Sequence, residues 1–402
     1  MVGALRSNGT DQGSVLSLNA GSSSLKFALF VGGSKLHTLL RGEISEIGSA
    51  PHLVARDGAG NVVADQNWSV EGEQTFAAAL DALLRLVDNT PGHDQLRAVG
   101  HRIVHGGADH ILPERITPAQ LPALDALIAL DPIHMPHNIA PITAVEKARP
   151  GIDQIACFDT AFHHTVPLVA QRFALPRALF DAGVRRYGFH GLSFEYIARR
   201  LADELPALSQ RRVIVAHLGA GASLCALDKG ASIANTFGIS VLDGLMMATR
   251  CGSLDPGAIL YLARLGHSLP DIEDMLYNRS GLLGVSGISG DIRVLLASND
   301  PNAREAVELF TYRIALEIGA MASALGGVDG IVFTAGIGQH APVIRAAVCE
   351  RLAWLGLRLD HVANDCNAYC ISTKASQVDV RVIATDEEAM IAFHVLAMIN
   401  RP

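Results

Sequence analysis

A glycine-containing polar turn between two apolar runs occurs twice in this chain, about half the chain apart. The first such segment, residues 15–31, turns at Gly21, and the second, residues 213–227, turns at Gly219 and Gly221. Each pattern is typical of a β-hairpin. Aligned at an offset of 198 residues, the segments share the identities Val15/Val213, Gly21/Gly219, Ala28/Ala226 and Leu29/Leu227. Because a repeat at this spacing indicates an internal duplication, we expect two α/β domains that each open on such a hairpin.

Helical periodicity alternates with short apolar runs along the rest of the chain. It predicts helices over 74–88, 119–130, 139–148, 193–205, 301–325, 342–354 and 386–399, and buried strands over 97–104, 153–157, 213–218, 330–334 and 380–384. The proline-containing stretch 131–137 is predicted to be a loop, because proline fixes φ and removes a hydrogen-bond donor. Strands that alternate with helices predict α/β layers rather than a sandwich or a bundle.

Composition and charge exclude several classes of protein. The 402 residues are 49% hydrophobic and 18% charged with a net charge of −8, which argues for a folded chain and against nucleic acid as a partner. No apolar stretch reaches the roughly 18 residues of a membrane helix, and the N-terminal residues lack the apolar segment of a signal peptide. We therefore expect a cytoplasmic protein without a membrane partner. Its six cysteines, which form no C-x-x-C pair, are expected to be reduced thiols.

Three glycine-containing loops present groups that suit a phosphate. The turn from Asn19 to Lys26 offers backbone N–H groups and serine hydroxyls beside a lysine, and an ordinary polar β-turn is the alternative. The turn at His217–Gly221 offers the same backbone donors without the hydroxyls. Residues 333–340 follow a buried run and precede Pro342, which indicates a helix N-terminus. Three such loops in one α/β chain favour the phosphate chain of a nucleotide as ligand.

Two charged side chains lie on or directly after predicted buried strands. Arg102 and Val104 share one face of a strand, so a guanidinium stands beside a small apolar wall, as a short carboxylate with an alkyl end requires. The alternative is an arginine paired with a structural aspartate. Asp159 follows a strand at the position where α/β sheets carry functional side chains. It either caps the next helix or holds a metal or a proton.

Three further residues are candidates for a site. His190 is bracketed by glycines and can donate to a charged transition state, although a lone histidine is more often an ordinary satisfied polar residue. Arg250 follows an apolar run and needs an anionic partner, structural or transient, if it is buried. The segment 385–388 fits a capping box with Thr385 as N-cap and Glu388 at N3, which leaves Glu387 available for Mg²⁺.

Motifs along almost the whole chain resemble those of the acetate kinase family, within the sugar kinase/Hsp70/actin superfamily. They are NAGSSSLK (19–26), HRIVHGG (101–107), FDTAFH (158–163), RRYGFHG (185–191), HLGAGAS (217–223), DGLMMATRCGSLDPG (243–257), SGDIR (289–293), FTAGIG (333–338) and TDEE (385–388). The resemblance implies duplicated ribonuclease H-like (actin-like ATPase) domains with a cleft between them. The N-terminal domain would span 14–160, with 386–402 able to pack back on it, and the C-terminal nucleotide-binding domain 161–385.

The resemblance also implies a reaction and its residues. The reaction is reversible transfer of the γ-phosphoryl group of ATP to a short carboxylate, acetate above all, with Mg²⁺ (or Mn²⁺) as cofactor and a homodimer as assembly. Catalysis is implied for Arg102, Asp159, His190 and Arg250, and metal binding for Asn19 and Glu387. Acid binding is implied for Arg102, Val104, Ile133, His134, Phe189 and Val241. Binding of ATP or ADP is implied for Ser22, Ser24, Lys26, His217, Leu218, Gly219, Ala220, Gly221, Asp291, Ile292, Arg293, Gly336, Ile337, Gly338, Gln339 and His340.

Several positions depart from the family pattern. Ala220 stands where the phosphate loop usually has asparagine, and Val241 stands where the acetate pocket usually has proline. The other departures are Met135, Phe194, 235–238, Gln339 and His340. Because the catalytic set is retained, an acetate-type kinase is the main hypothesis. The alternatives are a propionate or butyrate kinase and a non-catalytic nucleotide-binding protein of the superfamily, which would need few of those residues.

Overall fold

A computed structural model describes residues 13–21, 24–32, 35–68, 73–92 and 95–400. The strands are β1 (Ser14–Ala20), β2 (Leu25–Gly32), β3 (Leu36–Ser45), β4 (His52–Asp57), β5 (Val62–Asn67), β6 (Leu96–Ile103), β7 (Glu114–Arg115), β8 (Asp153–Phe158), β9 (Arg212–Leu218), β10 (Ala222–Asp228), β11 (Ala231–Asn235), β12 (Gly330–Thr334) and β13 (Asp379–Val382).

The helices cover both halves of the chain. They are α1 (Glu73–Asp88), α2 (Leu121–Ala126), α3 (Met135–Ala148), α4 (Leu168–Gln171), α5 (Arg177–Asp181), α6 (Gly191–Glu204), α7 (Pro206–Ser209), α8 (Pro256–Arg264), α9 (Leu269–Asn278), α10 (Gly281–Ser286), α11 (Ile292–Ala297), α12 (Pro301–Leu325), α13 (Ala335–His340), α14 (Pro342–Arg351), α15 (His361–Asp365) and α16 (Glu387–Ile399). Short 3-10 helices lie at Leu127–Ala129, Ala161–Thr165 and Ala353–Leu355.

The chain divides into two compact units. The first contains the described residues up to Ala161 together with those from Asp386 onward, and the second is Phe162–Thr385.

The first unit is built on a mixed sheet in the order β5-β4-β3-β2-β1-β6-β8-β7. Leu16 and Leu18 of β1 belong to the core shared with α1, and Ser17 between them points the other way, because side chains alternate along a strand. On that other face, Ser17 Oγ donates to the Glu388 carbonyl at 2.7 Å. A Cβ on Gly100 of β6 would lie 2.4 Å from Ile391, so α16 sits directly on the strand backbone.

The second unit has a sheet in the order β11-β10-β9-β12-β13. Val213 and Val215 of β9 form a core with Phe194 and Ile197 of α6, and the long helix α12 packs against β10 and β9. In each unit a central strand, β1 or β9, pairs antiparallel with its hairpin partner and parallel with a later strand, β6 or β12. The expected α/β class is confirmed, and the shared strand order fits a duplication.

The two hairpin turns differ in length. In the first hairpin Ala20 pairs with Leu25, whereas in the second Leu218 pairs with Ala222, so the second turn is one residue shorter. The offset of 198 therefore holds for the first strand of each hairpin and not for the second. The identities Ala28/Ala226 and Leu29/Leu227 do not join equivalent sheet positions, and that part of the alignment was wrong.

The prediction of a loop over 131–137 was partly wrong, because α3 begins at Met135. Pro136 lies in the first turn of this helix, where a backbone N–H has no partner within the helix. The N–H that proline lacks therefore costs the helix little stability. The six cysteines carry free thiols. Among the helices in the described part of the chain, none is both long and apolar enough to cross a membrane.

Candidate active site

An arginine and an aspartate meet where two neighbouring parallel strands of the first unit end. Arg102 lies near the end of β6, and Asp159 directly follows β8 and donates its backbone N–H to the Ile103 carbonyl at 2.9 Å. Arg102 Nε and Nη2 donate to Asp159 Oδ2 at 3.0 and 2.5 Å, and the carboxylate is 1% exposed. Asp159 Oδ1 is buried and receives no hydrogen bond from any residue that the structure describes. One oxygen of this carboxylate is thus used by the protein, and the other is available to a ligand.

Asn19, at the end of β1, joins this pair to the C-terminal helix. Its Oδ1 accepts from Arg102 Nη1 at 3.3 Å, and its Nδ2 donates to Glu387 Oε2 at 2.9 Å and to Glu388 Oε1 at 3.1 Å. Side chains from β1, β6, the end of β8 and α16 therefore form one polar cluster at one edge of the sheet. We call Asn19, Arg102, Asp159, Glu387 and Glu388 the carboxylate cluster.

The helix that carries the two glutamates begins one residue later than the sequence indicated. Asp386, not Thr385, is the N-cap of α16, and its Oδ1 accepts from the Ala389 N–H at 2.9 Å. Glu388 is therefore at the second helical position and not at N3, so the predicted capping box was wrong. Aspartate is at least as good an N-cap as threonine, which explains the shift. Glu388 is left to face Asn19 beside Glu387.

Burial makes negative charge on the carboxylate cluster unfavourable. It raises the pKa of Glu387, and the neighbouring Asp159 raises it further against the opposing effects of Arg102 and Asn19. Burial also raises the pKa of Glu388, with a further contribution from Glu387. Because burial and mutual repulsion raise the pKa of both glutamates despite Arg102, Lys26 and Arg41, a bound cation would stabilise their charged forms.

The donor set of the cluster fits magnesium. Within the described ranges, no group of three or more His, Cys, Asp or Glu side chains is arranged to hold a metal by itself. Mg²⁺ does not require such a group, since it takes one or two carboxylates and completes its shell with phosphate and water. The unused Asp159 oxygen and the carboxylate of Glu387 supply oxygen ligands of this kind.

We expect Glu387→Gln to raise the melting temperature in the absence of metal, because it removes a buried negative charge from the cluster. The same change should weaken Mg²⁺ binding by at least the roughly 10- to 100-fold that loss of an outer-shell partner costs. Thermal unfolding with and without Mg²⁺ and ADP checks both effects. The control is Glu305→Gln, on the exposed face of α12. A metal-dependent shift as large in the Glu387 variant as in the unmodified protein would exclude Glu387 as a ligand.

Other predicted acid-binding residues of the first unit lie around α3. Val104 is buried one residue past β6, and its N–H donates to Asn138 Oδ1 at 2.8 Å. His134 precedes α3 and is held by Asp131, with Nδ1 at 2.9 Å from Oδ1. Burial raises the pKa of Asp131, but hydrogen bonds and charge interactions with His134, together with the charge interaction with His105, bring it below its ordinary value. Ile133 is partly exposed between them.

The hairpin turn predicted to bind phosphate is only partly described. Ser22 lies outside the described residues, while the Gly21 N–H donates to the Ser24 carbonyl at 2.7 Å and closes the turn. Lys26 is exposed and pairs across the hairpin with Asn19. Asn138, which the sequence did not single out, donates to the Ala20 carbonyl at 2.8 Å and ties the turn to α3.

His190 in the second unit has a left-handed backbone, with φ of +56°, directly before α6. Its Nδ1 lies 2.8 Å from Ser223 Oγ on β10. Its ring stacks on His217 of β9 with centroids 4.1 Å apart and meets Phe237 edge-on at 5.2 Å. A hydroxyl and two rings thus fix the imidazole in one orientation.

His190 and Arg250 approach each other at Gly221. A Cβ on this glycine would lie 3.3 Å from His190 Nε2 and 3.9 Å from Arg250 Nη1. Arg250 Nη1 also lies 3.4 Å from the Val241 carbonyl and 3.7 Å from Met247 Sδ. The missing side chain at Gly221 therefore lets both side chains approach this position, where the guanidinium can donate to an anion, as can the imidazole when Nε2 carries the proton.

The remaining residues of the second glycine turn lie at the end of β9 and in the loop that follows it. His217 Nδ1 lies 2.8 Å from Ser193 Oγ, and the Gly219 N–H donates to the Gly221 carbonyl at 2.9 Å. Leu218 is buried, and Ala220 is exposed at the tip of the turn. Of the predicted acid-pocket residues in this unit, Phe189 is fully buried and Val241 is 5% exposed.

Of the two other predicted nucleotide segments, one forms the N-terminus of α11 and the other lies within the short helix α13, which precedes α14. Asp291 is the N-cap of α11 and accepts from the Arg293 N–H at 2.9 Å. Its carboxylate also pairs with the Arg293 guanidinium at 2.6 Å, and Ile292 between them is buried. Gly336, Ile337, Gly338, Gln339 and His340 lie in α13. Fully buried Arg345 donates to the carbonyls of Gly338 and Gln339, each at 2.9 Å. The sequence did not single out Arg345, because nothing local marks it as a buried arginine.

The structure thus brings together two sets of predicted residues, each within one unit. The first is the carboxylate cluster, to which Glu388 is an addition that the capping interpretation had concealed. The second comprises His190, His217, Gly221 and Arg250, to which Ser223 is added by its contact with His190. Ser223 follows the predicted glycine turn by two residues, and only the pairing of β9 with β10 shows its role.

The sequence matches the model of the acetokinase family over residues 14–393. It is 52% identical over 388 residues to the acetate kinase of Rhodopseudomonas palustris strain TIE-1, covering 95% of this chain and 97% of that one. It is 45% identical over 396 residues to the acetate kinase of Methylocella silvestris, covering 96% of this chain and 98% of that one.

Solved structures give the same result. The crystal structure of Porphyromonas gingivalis acetate kinase is 34% identical, with a TM-score of 0.86 over 96% of this chain and 100% of that one. The crystal structure of a propionate kinase from Francisella tularensis subsp. tularensis SCHU S4 is 36% identical, with a TM-score of 0.87 over 95% of this chain and 98% of that one. The chain therefore belongs to the acetokinase family.

Proposed function

We propose that this chain catalyses the reversible transfer of the γ-phosphoryl group of ATP to acetate, giving acetyl phosphate and ADP. Family membership and the acetate kinases that are 45–52% identical over nearly the whole chain support this reaction. The observation that supports it most directly is the buried Arg102–Asp159 pair, whose second carboxylate oxygen receives no hydrogen bond from the described residues. A purely structural ion pair would not need an unused buried oxygen.

In this proposal the carboxylate cluster binds the acid and the metal. Arg102 uses Nε and Nη2 on Asp159, so Nη1, now 3.3 Å from Asn19 Oδ1, is the nitrogen that would donate to the carboxylate of acetate. Asn19, Asp159 and Glu387 would hold Mg²⁺, directly or through water. Bound Mg²⁺ would neutralise charge on the phosphate oxygens. Mn²⁺ is the alternative metal, because it also prefers oxygen ligands.

The second unit would supply the donors for the nucleotide and the transferred phosphoryl group. His190 and Arg250, beside the open position at Gly221, would donate to the equatorial oxygens, where the transition state carries its charge. The turn at His217–Gly221, residues 291–293 and α13 would contact the nucleotide. The homodimer and the cytoplasmic location stay predictions from the sequence.

Propionate is the second candidate substrate, because a structure named as a propionate kinase is 36% identical over 95% of this chain. One methylene changes binding in an apolar pocket by about 1–3 kcal/mol, or roughly 10- to 200-fold. We expect kcat/KM to fall in the order acetate, propionate, butyrate, with about tenfold or more between acetate and butyrate. Trapping of the acyl phosphate as its hydroxamate, with ATP and Mg²⁺, measures the series.

The Asp159→Asn variant is the control for this assay and should give little hydroxamate. A higher kcat/KM with butyrate than with acetate would replace the proposed acetate kinase by a kinase for longer-chain acids. Absence of product with all three acids, in protein that still binds ADP, would overturn the proposed reaction.

A further inference from the structure

A buried histidine outside the predicted site contacts the backbone that leads into His190. His163 lies in the 3-10 helix Ala161–Thr165 and is 3% exposed. Its Nε2 is 3.0 Å from the carbonyl oxygen of Phe189, the residue directly before His190. Its Nδ1 is 2.8 Å from Oγ of Ser232 on β11.

The 3.0 Å contact with the Phe189 carbonyl indicates which ring nitrogen carries the proton. Asn235 Nδ2 lies farther away, 3.5 Å from the same carbonyl and 3.4 Å from His163 Nε2. A carbonyl oxygen can only accept, so Nε2 must be the N–H donor to Phe189. Nδ1 of the neutral ring is then an acceptor, and the hydroxyl of Ser232 donates to it. Ser232 is fully buried on β11, so it anchors the imidazole through the ring nitrogen that does not contact Phe189.

The ring of His163 also occupies the space beside Gly188. Gly188 has φ of +81°, and a Cβ there would lie 2.7 Å from His163 Cδ2, closer than a real Cβ approaches another atom. His163 therefore contacts both residues before His190: it packs on the first and binds the carbonyl of the second. A side chain at position 188 would collide with the His163 ring, so the close packing of these two residues depends on glycine at 188.

The backbone of His190 itself needs such support. Its φ of +56° is unfavourable for a residue with a Cβ and persists only where the surroundings hold it. On one side Ser223 Oγ holds the ring, at 2.8 Å from Nδ1. On the other side the His163 contact holds the peptide unit from which the ring projects.

We propose that His163 is a positioning residue for His190: its Nε2–H fixes the Phe189 carbonyl and thereby aims the His190 imidazole at its ligand. The consequence for the reaction rests on the proposed function, in which His190 donates to the transferred phosphoryl group. Because that contact forms only in the transition state, misdirection of His190 lowers kcat and leaves both KM values nearly unchanged.

Two amide variants separate the roles of the ring nitrogens. In His163→Gln the side-chain amide reaches the position of Nε2 and can still donate to Phe189, whereas in His163→Asn it reaches only the position of Nδ1 and keeps Ser232. We expect His163→Asn to lower kcat about 10- to 100-fold, with KM for acetate and ATP within about twofold. His163→Gln should recover most of this loss. A merely structural role would affect both variants alike.

A second readout does not depend on activity. The ring signal of His190 in a histidine-labelled NMR spectrum, assigned by its loss in His190→Asn, should shift in His163→Asn and return towards its original position in His163→Gln. This shift of the His190 signal is expected even if no acid is phosphorylated, so it tests the positioning role of His163 independently of the proposed reaction.

Ser232→Ala is the further variant if His163→Asn does not fold. It removes the hydroxyl that selects the ring proton and should lower kcat about two- to tenfold with the same His190 shift. Equal kcat losses in His163→Asn and His163→Gln, or an unmoved His190 signal in the folded variants, would overturn the proposal.

Discussion

Replacement of Arg250 by alanine is expected to lower kcat by about 10³-fold or more, while KM for acetate and ATP changes by less than about tenfold. An arginine that donates to the equatorial oxygens of a phosphoryl group in transfer is worth roughly 10³ to 10⁵ in kcat. Nη1 of Arg250 lies 3.9 Å from the Cβ position that Gly221 leaves empty, on the same side as His190 Nε2. In the proposed reaction, the charge that develops during transfer requires this guanidinium more than the ground state does.

The fold should survive this change. The main chain at Arg250 is held by its own bonds, since the Arg250 carbonyl accepts from the Met247 N–H at 3.1 Å. Arg250→Lys keeps the charge and loses the planar fork, so its kcat should lie between those of the alanine variant and the unmodified protein. Arg264→Ala, at an exposed position of α8, is the matched control and should change neither kcat nor KM.

Steady-state rates of ADP formation, with the melting temperature of each variant alongside, measure these effects. A kcat for Arg250→Ala within threefold of the unmodified protein would exclude a role in the transition state. A raised KM for ATP with unchanged kcat would assign Arg250 to ground-state nucleotide binding instead.

The sequence predicted the central strands well because their signals are local. Both hairpins and the strand before Asp159 are apolar runs bounded by glycine or polar turns, and such runs identify buried strands directly. The outer strands β3 to β5 were not predicted. Their side chains are largely exposed or half-buried, so they carry little hydrophobic pattern.

The candidate site could be predicted only where one motif carries the chemistry. Asp159 and Arg102 were each found from their places on or after a strand, but their pairing with each other was not predicted, because they lie 57 residues apart along the chain. Glu388 was assigned to a capping box because Thr385 and Glu388 have the spacing of that motif. The competing N-cap at Asp386 became evident only from its bond to Ala389. His163 contacts a backbone carbonyl 26 residues further along the chain, and no local sequence pattern predicts such a contact.

The sequence allowed two interpretations of Arg102, and the contacts of Arg102 in the structure are compatible with both. One was a carboxylate-binding guanidinium, and the other was an arginine paired with an aspartate. Arg102 is paired with Asp159, and that aspartate is itself a candidate for the metal or the proton. A change at Arg102 should therefore affect stability as well as the KM for the acid.

We accordingly expect Arg102→Ala to destabilise the first unit by about 3–5 kcal/mol, because it leaves Asp159 buried without its counter-charge. The same change should raise KM for acetate about 10- to 100-fold, the value of a hydrogen bond to a charged group. Urea unfolding gives the stability, read at the first transition because a chain with two compact units need not unfold in one step. The control is Arg115→Ala, which breaks the exposed pair of Arg115 with Asp153 in the same unit and should cost about 1 kcal/mol or less.

A double variant separates the two effects. In Arg102→Ala with Asp159→Ala the Asp159 carboxylate is no longer buried without its counter-charge, while Glu387 still loses Arg102, so the free energy of unfolding should recover only part of the loss of the single variant. Activity should not recover, because both the acid's partner and the unused oxygen are gone. Additive losses of stability in the double variant would show that Arg102 and Asp159 do not depend on each other, and the buried pair would then no longer support the proposed site.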